Sequence, residues 1–463
     1  MQEKGAYVKE QDRKQFLLKG SPGKLMVSLS LPAIVGMVVI GLYTFVDAIY
    51  AGQLLGVNAM GAVSVAYPFT FINSGIACLI GMGSASVLSR AVGANDQATI
   101  DKIMGNLIVM NTVLSLASTI AVIAFAPQLL ALVGAEGEML DLAVAYIRIV
   151  FIGSLFVNFG QSSNMVMRGE GDMVRAMAIM GGGAVLNMIL SPIFILALRD
   201  TGFGIQGAAA ATVLSQFVVA AAMLWWFISR EKVCRIHRIA ISGDVLGEVV
   251  KVGVSAMLMQ VLTLVYQAVV YRVAATWGGS EWQILFGAAL RYQAFAFIPL
   301  WGMSNGLQPA VGTNYGAKQF ARVRHILLTF CIGATVLSLI FWIPAMVSPA
   351  SVLGLFITDP ALIEMGIGDF RVFFCLYVTY GLMIMAITYM QSIGDGGKAA
   401  LLTIARSIIL FIPLVLVIPQ VTGLGIHGVW LACMLSDGVV MILSVAMMLV
   451  STVGLEKRRI AVS

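Results

Sequence analysis

The strongest constraint on this chain is a series of long apolar runs with almost no charge inside them. About twelve occur, at roughly 26–52, 59–88, 104–132, 141–166, 175–198, 204–229, 249–276, 285–312, 324–347, 365–390, 399–420 and 425–452. A helix needs about 20 apolar residues to cross the hydrocarbon core of a bilayer. Lipid offers no partners to backbone N–H and C=O groups, so each run must satisfy its own as a helix. The runs are continuous and do not alternate polar with apolar, which excludes a transmembrane β-barrel. Composition agrees: the chain is 60% hydrophobic and 11% charged, too little charge to wet a soluble protein of this size. The expected fold is therefore an all-α membrane protein with twelve transmembrane helices. The opening stretch "MQEKGAYVKEQDRKQFLLKGSPGK" is too long and polar for the start of a signal peptide, so the first run reads as a retained span.

The net charge of +6 is spread between the apolar runs. Cations gather in the N-terminal tail, after helices 2, 4, 6, 8 and 10, and at the C-terminus, as in "SREKVCRIHR" at 229–238. The alternate loops are nearly free of cations, with Arg199 the main exception. By the positive-inside rule both termini are cytoplasmic, which requires an even number of spans. A bacterial plasma (inner) membrane is the expected setting. No basic stripe for nucleic acid forms. The five cysteines show no paired spacing that would suggest zinc or disulfides. There is no phosphate-binding loop and no Ser–His–Asp set, and His237, His325 and His427 lie in loops or at helix ends. The chain is not expected to be an enzyme or to use a cofactor.

The sequence repeats itself. "GFGIQGAAAATVLSQ" at 202–216 matches "GLGIHGVWLACMLSD" at 423–437, "GEGD" at 169–172 pairs with "SIGD" at 392–395, and "GSASVLSRAVGAN" at 83–95 aligns with 306–318. The offset stays near 221–223 residues. Six helices are followed by six in the same orientation, giving pseudo-symmetric halves about an axis normal to the membrane. The expected domains are 1–240, with the tail and linker, and 241–463.

One acid stands out. Asp47, in "LYTFVDAIYAG", is the lone charged side chain between Leu25 and Leu55. A carboxylate at mid-bilayer costs about 3 kcal/mol on insertion scales, so it must face water or a partner unless it lies near the interface. Tyr43 lies one turn earlier on the same face and could donate to it. Pro32, Gly36 and Gly41 make the first helix easier to bend.

These features together resemble the multidrug and toxic compound extrusion (MATE) family, in the bacterial branch of DNA-damage-inducible and multidrug exporters. The resemblance is carried by "SLPAIVGMVVIGLYTFVDAIYAG", "GSASVLSRAVGAND", "RGEGD", "LNMILSPIFIL" and "GIQGAAAATVLSQ", and it spans nearly the whole chain. It implies a twelve-helix secondary antiporter that exports amphipathic, often cationic drugs, toxins or metabolites while H⁺ or Na⁺ enters. It also implies a cation site in the first half, formed by an Asp of helix 1, an Asn and an Asp four residues apart in helix 5, and a Thr of helix 6. Asp47, Asn187 and Thr212 match; Ser191 stands where the second acid is expected. With one carboxylate the site suits H⁺ better than Na⁺, because hard cations favour charged oxygens.

The second half has Val270 in the place of Asp47. Its charged candidates are Arg272, Arg291 and Asp437, and an Arg291–Asp437 ion pair would let both be buried. Further polar candidates for a central cavity are Gln260, Tyr266, Gln267, Gln293 and Asn305. Twenty-seven methionines would suit walls that accept varied ligands. The expected partners are a small-molecule substrate and the lipid bilayer, with the protein a monomer. Rival readings are a flippase for lipid-linked sugars in the same superfamily, which usually has extra helices or a strongly cationic cavity, and a membrane-embedded enzyme, which needs clustered acids or histidines. A receptor or channel fits the two-fold repeat less well.

Overall fold

The apolar runs fold as helices, most of them unbroken even at internal prolines. A computed structural model describes residues 12–55, 57–132, 135–199, 201–229, 233–236, 239 and 241–460. The first bundle holds α1 (Pro22–Leu55), α2 (Val57–Ala94), α3 (Gln97–Leu132), α4 (Gly137–Ile152), α5 (Ser154–Gly169), α6 (Met173–Arg199) and α7 (Gly204–Ser229). The second holds α8 (Gly243–Gly316), α9 (Phe320–Val347), α10 (Pro349–Leu353), α11 (Pro360–Phe374), α12 (Tyr380–Ser392), α13 (Gly396–Ile404), α14 (Phe411–Val421) and α15 (Ile426–Ile460). No strand occurs among the described residues.

Twelve crossings result. α4 and α5 form one span bent by 52° at Gly153. The 74-residue α8 would reach about 110 Å if straight, far beyond any bilayer. It breaks at Gly279 (φ 71°, ψ −162°), a backbone geometry open to glycine and costly for other residues. Gln283 Nε2 then donates to the Tyr271 carbonyl at 3.0 Å, so the chain has doubled back into two arms, 243–278 and 280–316. α11 and α12 form one crossing through a short 3₁₀ turn, Tyr377–Thr379. α13 and α14 form another through a π turn, Ala405–Leu410, where the sequence suggested a plain helix.

The repeat is written into the backbone. Asn95 and Lys318 are the two non-glycine residues with positive φ among those described, both at 58°. Gly171 (82°) matches Gly394 (85°), and Gly202 (80°) matches Gly423 (69°). Asp96 caps α3 through the Thr99 backbone N–H at 3.1 Å and hydroxyl at 2.6 Å, and these bonds, the hydroxyl's first, hold its carboxyl below the usual range.

The bundles close on each other at the end where residues 12–19 and the late turns of α15 lie. There, residues 81–89 of α2 and 302–314 of α8 are buried on every side. Toward the other end the same helices expose Ser64, Tyr67 and Ile72, and Arg291, Ala294 and Phe295. Small residues allow the close approach: Gly83 abuts the Val249 carbonyl, Gly253 the Leu79 carbonyl, and a Cβ on Gly302 would sit 2.6 Å from Ile34. Gln308 donates to the Met82 carbonyl at 3.3 Å, and Arg90 pairs with Glu248 at 3.1 Å. A short helix at 12–19 bridges both bundles. Arg13 pairs with Asp172 of the first at 3.0 Å, and the Leu17 carbonyl accepts from Asn314 of the second at 2.9 Å. The connection between bundles is anchored to the first one: Cys234 N–H donates to Glu170 at 3.2 Å and Ser242 N–H to Asn106 at 3.0 Å. Burial, and then the Glu170 carboxylate, push the Cys234 thiol well above its ordinary range.

Candidate functional site: two polar clusters within the bundles

In the first bundle, α6 and α7 supply a neutral knot. Asn187 and Ser191 sit one turn apart on one face of α6. Asn187 Nδ2 donates to Thr212 Oγ1 at 3.2 Å and to Ser215 Oγ at 3.0 Å. The Ser191 hydroxyl donates to Asn187 Oδ1 at 3.2 Å. The hydroxyls of Thr212 and Ser215 donate in turn to the carbonyls of Ala208 at 3.1 Å and Ala211 at 3.0 Å. Asn187, Ser191 and Ser215 are buried and Thr212 is partly accessible. The structure thus joins the three residues suggested by sequence and adds Ser215. That serine lies three residues after Thr212 and belongs to the repeated segment, which was the available signal.

The side chains of Asp47 and Tyr43 lie outside the described residues. The backbone of α1 still fixes their level. Gly36 packs on Met177, and a Cβ on Gly181 would sit 3.8 Å from Val39, so α1 and α6 run parallel in register. The same register, carried about two turns further, sets the Asp47 backbone beside residues 188–189, between Asn187 and Ser191. α1 continues as helix through Pro32, Gly36 and Gly41. A Cβ on Gly41 would sit 3.2 Å from Ile298 of α8, which places α1 between α6 and the second arm.

The second bundle holds a charged cluster, and here the expected pairing is corrected. Asp437 of α15 is paired with Arg406, whose Nε donates to Oδ1 at 2.8 Å. Arg291 is exposed, because its neighbours Tyr292 and Gln293 take the buried side of the second arm. The Tyr380 hydroxyl donates to the other Asp437 oxygen, and Gln293 Nε2 donates to that hydroxyl at 3.2 Å. The Arg406 guanidinium carbon lies 5.3 Å from the Tyr380 ring centroid, 5.9 Å from Phe297 and 6.0 Å from Tyr266, within cation–π range. Arg406 stands in the π turn, and the Ser436 hydroxyl donates to its carbonyl at 3.3 Å. Sequence reasoning passed over Arg406, although it is the one Asp, Glu, Lys or Arg between Lys398 and Asp437. That isolation is the signal that singled out Asp47.

The remaining candidates scatter. Gln260 and Gln267 are half-buried on the first arm, Arg272 is exposed near its end, and Tyr266 is buried with its ring 4.3 Å from Phe411. Asn305 is buried in the closed half of the second arm. His427, given no role from sequence, meets Asp369 at 2.8 Å. No cluster of His, Cys, Asp and Glu able to hold a metal occurs among the described residues.

Twelve crossings in two pseudo-symmetric bundles, pressed together at one end and carrying separate polar clusters, define a membrane transporter. The MatE family model matches the chain twice, over residues 32–193 and 255–417, and the chain belongs to that family. Among curated relatives, the multidrug export protein MepA of Staphylococcus aureus is 24% identical over 416 residues, covering 89% of this chain and 91% of that one. A FAD transporter of Shewanella oneidensis is 25% identical over 403 residues, covering 86% and 88%. Among solved structures, one described as "Outward-facing conformation of a multidrug resistance MATE family transporter of the MOP superfamily" matches with TM-score 0.88 and 28% identity, over 95% of this chain and 98% of that one. Another, "Crystal structure of MATE in the bent conformation", matches with TM-score 0.90 and 28% identity over 96% and 98%.

Proposed function

We propose that this MATE efflux transporter is a secondary antiporter. It exports amphipathic small molecules as H⁺ enters through Asp47 and the α6–α7 knot. The observation that carries the reading is the knot itself. Asn187, Ser191, Thr212 and Ser215 form a cluster of neutral oxygens and one amide at the level of the only acid in α1. A carboxylate there gains polar neighbours when charged and can accept a proton when the cleft opens to the acidic side. The same oxygens together with Asp47 could take Na⁺, but a single charged ligand makes a weaker Na⁺ site than two. With cations concentrated in alternate loops, both termini are placed in the cytoplasm. The closed end then faces the cytoplasm, and the open half faces outward.

Movement between two states is coupled to an ion only if the ion binds them unequally. The test is ethidium uptake into everted vesicles, the inverted equivalent of efflux from the cell, under an imposed pH or Na⁺ gradient, with wild type compared to Asp47→Asn. Wild type is expected to respond to the pH gradient, and the variant to lose substrate-driven H⁺ movement. Equal H⁺ flux in the two proteins would remove Asp47 from the mechanism. A response to Na⁺ alone would replace H⁺ as the coupling ion.

A further inference from the structure

The second bundle has no acid at the repeat position of Asp47 but holds a mostly buried cation elsewhere, Arg406, and the surroundings of that cation point to a ligand. Arg406 sits in a π turn, a rare distortion that recurs at functional sites and rotates the residues within it relative to a regular helix. A guanidinium carries five N–H donors. Asp437 and Tyr380 occupy one side of it. α15 closes the same side, through Asp437 and through Ser436 on the Arg406 carbonyl. The side chain nevertheless stays 24% exposed, while Asp437 is at 7%. The rings around it come from the first arm of α8 (Tyr266), the second arm (Phe297) and α12 (Tyr380). Those three segments are also the ones that meet the first bundle at the closed end: Gly253 lies on Leu79, Gly302 on Ile34, and the Gln391 carbonyl accepts from Ser86. Arg406 therefore looks out between the helices that line the seam, through an aromatic collar, into the half of the cleft that is open.

We propose that Arg406 is a substrate subsite for an oxyanion. Its ligand is an amphipathic molecule with a carboxylate or phosphate on an aromatic body. Asp437 anchors Nε and fixes the plane of the guanidinium. The remaining donors meet the oxyanion, Tyr266 and Tyr380 back the guanidinium from their buried positions, and Phe297, the partly accessible ring of the three, takes the flat apolar part. Planar guanidinium forks match carboxylate and phosphate oxygens in pairs, which Lys does not reproduce. The ion pair keeps the empty site neutral and tolerable in the membrane. This subsite deepens the transporter reading and rests on it for its physiological meaning, though the binding itself can be measured without transport. It also extends the expected substrate range from cations to acids and zwitterions.

The test uses purified full-length protein in detergent and two fluorescent probes of the same ring system: flavin mononucleotide, which carries a phosphate, and riboflavin, which does not. Wild type and Arg291→Gln are expected to bind the mononucleotide at least tenfold more tightly than riboflavin. Arg406→Gln with Asp437→Asn removes the pair together and leaves no buried lone charge. In that double variant the two affinities are expected to converge within about twofold, with riboflavin affinity retained. Arg406→Lys is expected to restore part of the preference. Melting temperature is recorded alongside. Equal binding of both flavins to wild type, no binding of either, or an unchanged preference in the double variant would overturn the proposal. So would a fall in melting temperature as the sole effect, since that is the behaviour of a structural lock. Ethidium uptake into everted vesicles, run on the same variants, separates the two readings. Its absence from wild type counts against the antiporter, whereas the flavin ratio alone decides the subsite.

Discussion

The α6–α7 knot and the Arg406–Asp437 cluster occupy the fifth and sixth, and the eleventh and twelfth, crossings of two halves built on one backbone plan. Ser215 and Ser436 are repeat equivalents, and each holds the helix before it: Ser215 accepts from Asn187 at 3.0 Å, and Ser436 donates to the Arg406 carbonyl at 3.3 Å. The turns repeat down to their positive-φ residues. The chemistry does not. One cluster is neutral; the other contains a compensated ion pair ringed by aromatics. Val270, the repeat counterpart of Asp47, is fully buried and brings no carboxyl to the first arm of α8 at that position. The repeat thus preserves what closes and turns the chain. The interior of each half is free to differ, as the proposed division between coupling ion and cargo requires.

The largest expected effect breaks the charged side of this comparison. Asp437→Asn leaves Arg406 without its counter-ion in a mostly buried site, which costs about 3 kcal/mol. The expected result is a large drop in melting temperature in detergent. Arg406→Gln should do the same from the other side. The double variant should recover most of the loss, because two neutral amides remain. Arg291→Gln, on an exposed residue, should change stability by less than about 0.5 kcal/mol. Additive losses in the Arg406 and Asp437 cycle would mean that the pair seen here does not carry stability.

Second in size is Tyr380→Phe, which strips one hydroxyl that both donates to Asp437 and accepts from Gln293. Two buried polar atoms lose a partner, for a cost of about 2 kcal/mol. The matching change in the first bundle, Asn187→Ala, frees Ser191, Thr212 and Ser215. Those hydroxyls keep or find carbonyls one turn back, as Thr212 and Ser215 already do, so its cost should be nearer 1 kcal/mol. A larger loss at Asn187 than at Tyr380 would reverse the ranking of the two clusters.

Much of this was legible in the sequence because a bilayer leaves few options. Apolar length gave the crossings, and a constant offset gave the halves. The family resemblance singled out Asn187, Ser191 and Thr212, and spacing of one helical turn put the first two on one face of their helix. What escaped depends on geometry that period and hydropathy do not encode. The π turn shifts the register in which Arg406 meets Asp437, so no fixed spacing announces that pair. Arg291 was the tempting partner because its number put it early in a helix, but a helix has an outward face, and burial of Tyr292 and Gln293 gives that face to Arg291. The reversal at Gly279 was readable only as a gap between two apolar runs, since the helical arms continue to its edges.

The smallest effect sharpens the neutral side. Thr212→Val keeps the shape of the side chain and removes one acceptor of the Asn187 amide, which still holds Ser215. Hydrogen bonds between helices in membranes average about 0.6 kcal/mol, so the melting temperature should barely move. If the knot serves only to pack α6 against α7, efflux should barely move either. If Thr212 lends an oxygen to the ion carried at Asp47, the pH-gradient dependence of ethidium efflux should weaken well beyond what so small a stability change explains. Ser191→Asp should act in the opposite sense, by adding a second carboxylate where the knot has none. The expected outcome is efflux that begins to respond to a Na⁺ gradient, because two charged oxygens hold that ion better than one. An unaltered ion dependence in both variants would leave the knot as a structural clasp and confine coupling to α1.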